Sequence, residues 1–433
     1  MTLIHDPQTE PDRTEPDRTE PDRTEPGGRA EVRRLPAEAW HAVLDAAARL
    51  PSLRAKYEGF AGRAGELELS DLPVLTKEEL AGTLDDLVAT ARGRAHGAYV
   101  YGSGGTTSAP KLSLVPTGMF VADILDSWRP LTADDVLVNF NTPGRLWSSH
   151  NFFNMLAHQS GSVVVPLGSV DHDELDEWLG FVERLGATAL DATPSQIAHI
   201  LQFCESTGRP APAFRKLLWT GEKFGERALE LTRRLLPGAG LHGVYGSTET
   251  WVIGLNGPSC PVNTFHVLPY QHVEIEDGVV LVTNTHPSSV NPVLRYRVGD
   301  RGRFTACPCG RPEPALEVSG RDDPQLKFVS ILLMPEDIVE SARSVPEVRD
   351  VQIALFDHGG PAERMEVRIV VDPGSGWEAV EERTRQRILT RVYRLGWAVA
   401  SAPGSFAVRA VERLQVNPRT HKTPVLVREA TTS

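Results

Sequence analysis

Two segments of the chain carry residue types suited to phosphate and metal chemistry. Residues 101–111 read YGSGGTTSAPK, in which small side chains let the backbone approach a phosphate while the hydroxyls and Lys111 supply hydrogen-bond donors. Residues 245–250 read YGSTET after a predicted strand, and the carboxylate of Glu249 beside hydroxyl groups suits a magnesium-bound nucleotide. Taken singly, each also has a plain structural interpretation, a flexible loop for the first and a polar turn for the second.

Three further segments contain charged side chains that can bind parts of a nucleotide. In residues 294–300, LRYRVGD, Asp300 closes an apolar-flanked run and can accept hydrogen bonds from both hydroxyls of a ribose, although a hairpin turn is an alternative. Residues 320–323 read GRDD. Residues 418–423 read PRTHKT and hold Lys422, but most lysines in such terminal segments are simply solvated.

Several common catalytic motifs are absent from the sequence. Residues 101–111 do not end in the Gly-Lys-Ser/Thr of a Walker A loop, and their glycine spacing differs from that of a dinucleotide-binding turn. The chain has no Gly-x-Ser-x-Gly nucleophile elbow and no His-Glu-x-x-His zinc pair. An ordinary P-loop NTPase and hydrolases of those two kinds are therefore not supported.

Four candidate metal ligands lie in the same part of the chain. Cys307 and Cys309 are separated by one proline, and with Cys260 and His266 they make a Cys₃His set of zinc-competent donors. Four protein ligands leave no open position, so a zinc ion held by them would be structural. The alternative is a set of reduced, partly buried thiols, and Cys204, on a predicted helix face, is assigned to packing.

Alternating helix and strand patterns predict the framework that positions these segments. In the middle of the chain, segments with the apolar spacing of a helix alternate with short apolar runs typical of strands. This alternation predicts a layered α/β domain. The predicted helices cover 173–185, 195–206 and 225–236, and the predicted strands cover 98–101, 187–190, 214–219 and 241–245.

The last hundred residues follow the pattern of a small α+β unit. The predicted helices there cover 335–344 and 377–395, and the predicted strands cover 350–356, 365–371 and 406–414. Turn-forming residues cluster at 320–324 and mark the expected boundary. Residues 9–26 repeat Thr-Glu-Pro-Asp-Arg, which has no apolar side chain to bury and predicts a disordered tail. The expected units are a tail over 1–30, a large domain over 31–321 and a small domain over 322–433.

Composition limits the classes of partner. The 433-residue chain has 57 acidic and 45 basic residues, and its net charge of −12 gives no electrostatic footprint for nucleic acid or for anionic membranes. No apolar run approaches the ~18 residues of a spanning helix, and the first residues lack the pattern of a secretory signal. Four cysteines are too few for a disulfide scaffold. These features predict a cytoplasmic enzyme.

In their order along the chain, the five segments resemble the motifs of the adenylate-forming ANL superfamily. YGSGGTTSAPK resembles its phosphate loop, YGSTE its adenine and magnesium motif, YRVGD its ribose-binding motif, GRDD its interdomain hinge and PRTHK the segment of its adenylation lysine. The TPS of residues 193–195, the TGEK of 220–223 and the cysteines and histidine are similar to the phenylacetate–CoA ligase branch. This resemblance covers residues 95–425 and implies a large adenylation domain with a small mobile C-terminal domain.

The resemblance also implies a reaction, in which a substrate carboxylate attacks the α-phosphate of ATP, with Mg²⁺, and yields an acyl-adenylate and pyrophosphate. It assigns Lys422 to bridging the two reacting anions, Glu249 to Mg²⁺, Thr248 to the vicinity of the α-phosphate and Asp323 to the hinge, with Asp322 as the neighbouring candidate. The nucleotide-binding residues that it implies are Ser103, Gly104, Gly105, Thr106, Thr107, Ser108 and Lys111 around the β- and γ-phosphates, Gly221, Glu222, Tyr245, Gly246 and Ser247 around the adenine, and Asp300 and Arg321 at the ribose.

Residues 140–151, FNTPGRLWSSHN, stand where that branch has its acid-pocket segment. Trp147 can stack on an aromatic ring, Arg145 or His150 can meet polar substituents, and Asn151 completes this predicted pocket. We therefore expect a small aryl or heteroaryl carboxylic acid as substrate. A surface loop with a packed tryptophan is the alternative.

The sequence leaves the acceptor of the acyl group open. Ser108 and Ser330 stand where the superfamily has glycines, and the second of those glycines lets the pantetheine arm of coenzyme A pass the backbone. Coenzyme A, an acyl carrier protein, an amine and simple release of the adenylate are all retained. Activation of nitrite or of a phenol, and a non-catalytic ligand-binding role, are the other interpretations. The expected assembly is a monomer or a homodimer.

Overall fold

The structure, a computed structural model, describes most of the chain. The described residues are 29–31, 35–92, 97–103, 111–144, 146–322, 326–328, 331–357, 363–392, 395–396, 399, 404–418 and 421–429. Among them, the α-helices are α1 (Ala37–Arg49), α2 (Arg54–Tyr57), α3 (Lys77–Ala81), α4 (Leu84–Ala91), α5 (Val121–Ser127), α6 (Ser149–Gln159), α7 (Leu175–Arg184), α8 (Pro194–Thr207), α9 (Glu226–Leu235), α10 (Pro335–Arg343) and α11 (Trp377–Arg391). None of these helices combines the length and the apolar composition that crossing a bilayer requires.

The strands of the described residues form one large sheet, a smaller sheet and two hairpins. They are β1 (Arg29–Glu31), β2 (Ala98–Ser103), β3 (Lys111–Pro116), β4 (Val136–Asn139), β5 (Val163–Val165), β6 (Ala189–Ala192), β7 (Lys216–Thr220), β8 (Gly240–Ser247), β9 (Trp251–Leu255), β10 (Thr264–Val267), β11 (Gln271–Glu276), β12 (Val279–Asn284), β13 (Tyr296–Thr305), β14 (Ala315–Arg321), β15 (Leu326–Phe328), β16 (Ile331–Leu333), β17 (Val348–Phe356), β18 (Arg364–Val371), β19 (Phe406–Ala410) and β20 (Leu426–Glu429).

The large sheet joins a parallel half to an antiparallel half. Within the described residues its strand order is β1-β11-β12-β13-β14-β10-β9-β8-β7-β6-β4-β5. Strands β4 to β8 run parallel, and along the chain they alternate with helices α6 to α9. The remaining neighbouring pairs in this sheet are antiparallel. Helices between parallel strands are the arrangement of a layered α/β domain, so the predicted fold class is confirmed.

The start of α8 shows how local sequence sets an element. Thr193 accepts a hydrogen bond from the backbone N–H of Gln196, whose side chain in turn accepts from the Thr193 N–H, and Pro194 occupies the first helical position. This capping box satisfies backbone donors that the helix itself leaves open. Gly208 ends the helix in the left-handed conformation. The TPS segment is thus a helix start that directly follows a strand.

The C-terminal residues form a smaller unit with a core of its own. Its sheet has the order β19-β18-β17-β20, and apolar side chains from this sheet, α10, α11 and the β15–β16 hairpin pack into one cluster. The clusters of the large unit are built from residues 40 to 316. The molecule therefore has a large sheet-rich N-terminal part and a small C-terminal part.

The predicted elements of both parts match the structure closely, with differences at their ends. The strand predicted over 214–219 is β7, which begins two residues later, and the helix predicted over 377–395 continues as α11 to Arg391. The last predicted strand, 406–414, ends at Ala410. Arg29 and Ala30, which the sequence places in the tail, pair with β11, while residues 9–26 lie outside the described residues.

A buried arginine joins the antiparallel half of the sheet to the segment before α3. The side chain of Arg295 is 4% exposed. It donates to the carboxylates of Glu274 at 3.1 Å and Glu276 at 2.8 Å, and to the backbone carbonyls of Ser70 and Leu72. Since the Glu274 side chain is completely buried, its charge depends on this partner.

We predict that Arg295→Met lowers the free energy of unfolding by about 3–5 kcal/mol, because it leaves the Glu274 carboxylate buried without its ion-pair partner. The measurement is the urea-induced unfolding midpoint of the whole chain. Arg303→Met is the control, since it breaks the exposed pair with Glu317 and should cost less than about 1 kcal/mol. Equal losses in the two variants would contradict the prediction.

Candidate functional site

The carboxyl ends of four parallel strands open onto one edge of the large sheet. β4 ends at Asn139, β6 at Ala192, β7 at Thr220 and β8 at Ser247. The loops after parallel strands meet at the same edge, which is where open α/β sheets bind their ligands. The predicted acid-pocket segment, the TPS and TGEK segments and the STE turn all follow these strands.

Tyr245, Asp300 and Arg321 form one hydrogen-bonded group across three strands. The Tyr245 hydroxyl donates to one carboxylate oxygen of Asp300 at 2.9 Å, and Arg321 donates to the other at 2.9 Å. Burial, and then the neighbouring Asp300 carboxylate, raise the pKa of Tyr245 well above its ordinary value, so the phenol keeps the proton that it donates. The structure thus unites three residues that the sequence assigns to the nucleoside.

The turn that carries Thr248 and Glu249 connects β8 to β9. The Glu249 side chain is buried, and its backbone carbonyl accepts a hydrogen bond from Asn291, which also donates to a carbonyl of β3. Gly246 precedes the turn, and a Cβ there would lie 2.2 Å from the Trp251 carbonyl oxygen. Only glycine allows this close approach of the two strands.

The predicted phosphate loop joins β2 to β3. The backbones of Ser103 and Lys111 are paired across this antiparallel hairpin, immediately before and after the loop. Gly104, Gly105, Thr106, Thr107 and Ser108 lie outside the described residues. Asn291 connects β3 to the Glu249 turn, so the two predicted phosphate-binding segments share one support.

Gly221 and Glu222 directly follow β7, and Glu222 contacts the start of α8. Gly221 has a positive φ of 90°, and Glu222 accepts a hydrogen bond from the backbone N–H of Ser195 at 2.7 Å. Ser195 lies in the first turn of α8, where backbone N–H groups attract a carboxylate. Burial raises the pKa of Glu222, and the Ser195 hydrogen bond and the charge of Lys422 oppose that shift.

Lys422 reaches from the small part of the molecule to this edge. Its ammonium group donates to the Gly221 carbonyl oxygen and lies 4.4 Å from the centre of the Trp147 ring, which is a cation–π contact. The backbone N–H of Thr423 lies 3.4 Å from the Ser195 hydroxyl. The φ of Gly221 favours glycine, and a Cβ there would lie 2.7 Å from the end of the lysine side chain and displace it from this contact.

The predicted acid-pocket residues separate into different environments. Trp147 lies against Gly221 and Lys422. His150 is buried, and its Nδ1 donates to the Asn141 carbonyl at 2.7 Å, because a carbonyl can only accept. Asn151 is exposed and donates to the Tyr101 hydroxyl at 2.9 Å. Arg145 lies outside the described residues.

The GRDD segment is anchored on its N-terminal side. Asp322, the neighbouring hinge candidate, is almost buried between Arg297 and Arg301, and its N–H donates to the Gly299 carbonyl. Asp323, the predicted hinge residue, and Ser330 lie outside the described residues.

The four candidate metal ligands come together. The donor atoms of Cys260, His266, Cys307 and Cys309 all lie within 4.8 Å of one another, and His266 Nε2 is 3.1 Å from Cys309 Sγ. Donors around a tetrahedral zinc ion at about 2.0–2.3 Å stand about 3.3–3.8 Å apart, so the cluster fits such an ion with little adjustment. It ties the loop after β9 and the strand β10 to the loop after β13.

Sequence analysis overlooked several polar residues at this edge. Asn291 supports the Glu249 turn, and the buried Asn139 and Asp191 form hydrogen bonds with Asn141 in the acid-pocket segment. Asn and Asp at the ends of strands look like ordinary turn formers in a sequence. Only their burial in the folded chain distinguishes them.

Comparison with known proteins identifies the family. A family model described as AMP-binding enzyme matches residues 39–278, which is more than half of the chain. The chain is 24% identical over 169 residues to the indoleacetate–lysine synthetase of Pseudomonas savastanoi, covering 38% of this chain and 42% of that protein. It is 21% identical over 299 residues to the phenylacetate-coenzyme A ligase of Aromatoleum evansii, covering 64% of this chain and 66% of that protein. In both cases the aligned region spans less than two thirds of the relative.

Solved structures share the fold. A 2-hydroxyisobutyryl-CoA ligase in its postadenylation state, with 2-HIB-AMP, matches with a TM-score of 0.64 at 15% identity over 91% of this chain and 88% of that chain. The same ligase in its thioesterification state, with 2-HIB-AMP and CoA, matches with a TM-score of 0.53 at 14% identity, over 91% and 89%. Both matches show that this chain shares the fold of that ligase.

We predict that Trp147→Leu makes the Lys422 amine about 3–10-fold more reactive towards a water-soluble acylating reagent, because the cation–π contact is lost. The measurement is the labelling rate of Lys422 by peptide mass spectrometry. Trp147→Phe should have a smaller effect, and Trp377→Leu, at an exposed tryptophan of α11, should have none. Equal labelling of Lys422 in the wild type and in Trp147→Leu would contradict the contact.

Proposed function

The chain belongs to the family of AMP-binding enzymes, within the adenylate-forming ANL superfamily, and we propose that it activates a small aryl or heteroaryl carboxylic acid as its acyl-adenylate. ATP would supply the adenylyl group and pyrophosphate would leave. The whole chain would then transfer the acyl group to a thiol or an amine. In this proposal residues 31–321 form the adenylation domain and residues 322–433 form the lid domain that carries Lys422.

The observation that carries the proposal is the position of the Lys422 ammonium group. It lies on the Gly221 carbonyl, at the strand edge where the Tyr245–Asp300–Arg321 group and the Glu249 turn also lie. Joining a carboxylate to a phosphate brings two anions together, so the reaction needs a cation at their meeting point. A lysine delivered to the strand edge from a separate part of the chain meets that need.

Each remaining side chain has a role consistent with its contacts. Asp300 keeps lone pairs after accepting from Tyr245 and Arg321, and these would receive the ribose hydroxyls. Glu249, at the turn beside Thr248, would hold Mg²⁺, which supplies charge neutralisation for the phosphates when bound. The backbone at Gly221 and the ring of Tyr245 would border the adenine. Trp147 would border the acyl group.

The two curated relatives support the substrate class and two kinds of acceptor. Their names place an arylacetic acid in both reactions, indoleacetate in one and phenylacetate in the other. One name includes coenzyme A, a thiol, and the other includes lysine, an amine. An acyl-adenylate is an electrophile that either nucleophile can attack, so the second step is to be tested with both.

We predict acid-dependent ATP–pyrophosphate exchange by the full chain, with arylacetic, benzoic and heteroaryl acids exceeding aliphatic acids. Lys422→Ala should lower the exchange rate by about 10²–10³-fold, because the developing charge loses its stabilising cation. Arg428→Ala removes an exposed cation of β20 and should leave the rate unchanged. Adding coenzyme A or free lysine after adenylation then identifies the acceptor.

Three results would count against this function. If only nitrite or a phenol supported exchange, that compound and not a carboxylate would be the nucleophile. If exchange were equally fast in Lys422→Ala, the lysine would have no role in the adenylation step. No exchange with any compound, despite ATP binding, would favour a ligand-binding role.

We also propose that the Cys₃His cluster binds a structural zinc ion. The purified chain should contain about one zinc per chain, and Cys309→Ser should lose most of it and melt at a lower temperature. Metal content is measured by inductively coupled plasma mass spectrometry. Cys204→Ala, in the apolar face of α8, is the control and should keep the metal. A zinc-free wild type that melts at the same temperature with and without added zinc would contradict the proposal.

A further inference from the structure

A cluster of buried polar side chains lies beneath the acid-pocket segment. Asp191 is the third residue of β6 and is completely buried. Asn141 donates to Asp191 Oδ2 at 2.5 Å and accepts from the Ser149 hydroxyl at 3.2 Å. Asn139 accepts from the Asn141 N–H, and its amide donates to the His150 carbonyl and to Asn154. The asparagines are thereby fixed by the protein itself.

One atom of this cluster has no partner. Among the described residues, nothing forms a hydrogen bond to Asp191 Oδ1, although the atom is inaccessible to solvent. A buried polar atom without a partner costs free energy, and such atoms in folded proteins call for a specific explanation. The only hydrogen-bond donor that the structure gives this carboxyl is a neutral amide, so the described contacts supply no cation. Accordingly, burial raises the pKa of Asp191 well above its ordinary value.

Asp191, which carries this unpaired Oδ1 atom, lies close in the chain to residues of the proposed site. Asp191 is two residues before Thr193, at the carboxyl end of β6, and Ser195 beyond it contacts both Glu222 and the segment of Lys422. Its partner Asn141 begins the segment that leads to Trp147. Asp191 therefore lies at the same strand edge as the proposed site, connected through Asn141 to the segment of Trp147 and through the start of α8 to the segment of Lys422.

We propose that Asp191, held in place by Asn141, determines the specificity of the acid pocket and binds a basic nitrogen at the end of the substrate acid remote from its carboxylate. This proposal rests on the acid-activating function proposed above. A basic nitrogen, in an amine or a ring, satisfies Oδ1 in either protonation state. A protonated carboxyl donates to its lone pair, and an ionised carboxylate accepts from its N–H⁺. The nitrogen also brings the positive charge that the buried carboxyl lacks.

Other substituents satisfy Asp191 less well. A hydroxyl group supplies a hydrogen bond but no charge, and an alkyl group leaves Oδ1 buried and unpaired. Hydrogen bonds to charged groups are stronger than those between neutral groups by an amount that corresponds to about 10-fold in binding. A site built to bind a polar group rejects an analogue that lacks it more strongly, here by about 100-fold or more.

The test is ATP–pyrophosphate exchange with one aryl acid substituted at each ring position by an aminomethyl, amino, hydroxymethyl, hydroxy or methyl group, together with the pyridine acids. For the wild type, we expect a preference at one ring position. There the kcat/KM of a nitrogen-bearing acid should be about 10-fold higher than that of its hydroxyl counterpart and about 100-fold higher than that of its methyl counterpart. Asp191→Asn keeps the shape but removes the charge, so amino and hydroxyl acids should become equal. Asp191→Leu should favour the methyl acid.

A matched variant controls for the loss of a buried carboxyl group. Asp135 is also almost fully buried, but it lies at the amino end of β4 and pairs with Lys216 at 2.6 Å. Asp135→Asn should lower stability and leave the order of substrates unchanged. Asp191→Asn should instead raise the melting temperature at pH 7, because a neutral amide does not carry the free-energy cost of burying or protonating a carboxyl group at that pH.

The outcomes separate this inference from the proposed function. Exchange with several acids but no preference for nitrogen in the wild type would overturn the inference and leave acid activation standing. A nitrogen preference that survives in both Asp191 variants, or a lower melting temperature of Asp191→Asn, would also overturn it. No exchange with any acid would overturn the proposed function and this inference with it. The wild-type panel remains decisive if a variant fails to fold.

Discussion

The site depends on one contact between two parts of the chain, the ammonium group of Lys422 on the Gly221 carbonyl. The lysine belongs to a unit whose apolar core is separate, yet its charge is held 4.4 Å above the Trp147 ring at the edge of the large sheet. Glycine favours this contact, because Gly221 has a positive φ and a Cβ there would push the end of the lysine side chain away. The conformation of one residue after β7 therefore places the carbonyl oxygen that holds the Lys422 ammonium group.

The remaining supports of the site are backbone groups held by buried amides. Asn291 donates to the backbone carbonyls of Leu114 and Glu249, and Asn139 and Asn141 hold the segment that leads to Trp147. A buried amide that makes all its hydrogen bonds fixes its neighbours more firmly than an apolar side chain does, because displacement leaves polar atoms unpaired. Asp191, with one oxygen unpaired, is the exception in this set, and an exception of that kind calls for a specific explanation, for which we propose a ligand.

The sequence predicted the parallel half of the sheet and the small unit well, and the antiparallel half hardly at all. Between residues 173 and 245 the helices and strands differ in apolar period, so their alternation is visible. In β11 and β12 almost every residue is buried, including His272 and Glu274, so neither strand shows the alternation that marks a half-exposed strand. The motifs located the site because their residue types are tied to nucleotide chemistry. The sequence could not predict that Trp147 would contact Lys422, since that pair depends on the relative position of two units.

The end of β14 has a mechanical consequence for any reorientation of the small unit. Arg321 forms an ion pair with Asp300, and Asp322 forms ion pairs with Arg297 and Arg301. These contacts fix the chain to the large sheet as far as Asp322. The core of the small unit begins at Leu326. A reorientation of the small unit would therefore leave the chain up to Asp322 fixed to the large sheet. The Asp300 carboxylate, which we propose binds the ribose, would stay in place with Arg321 while Lys422 moved with the small unit.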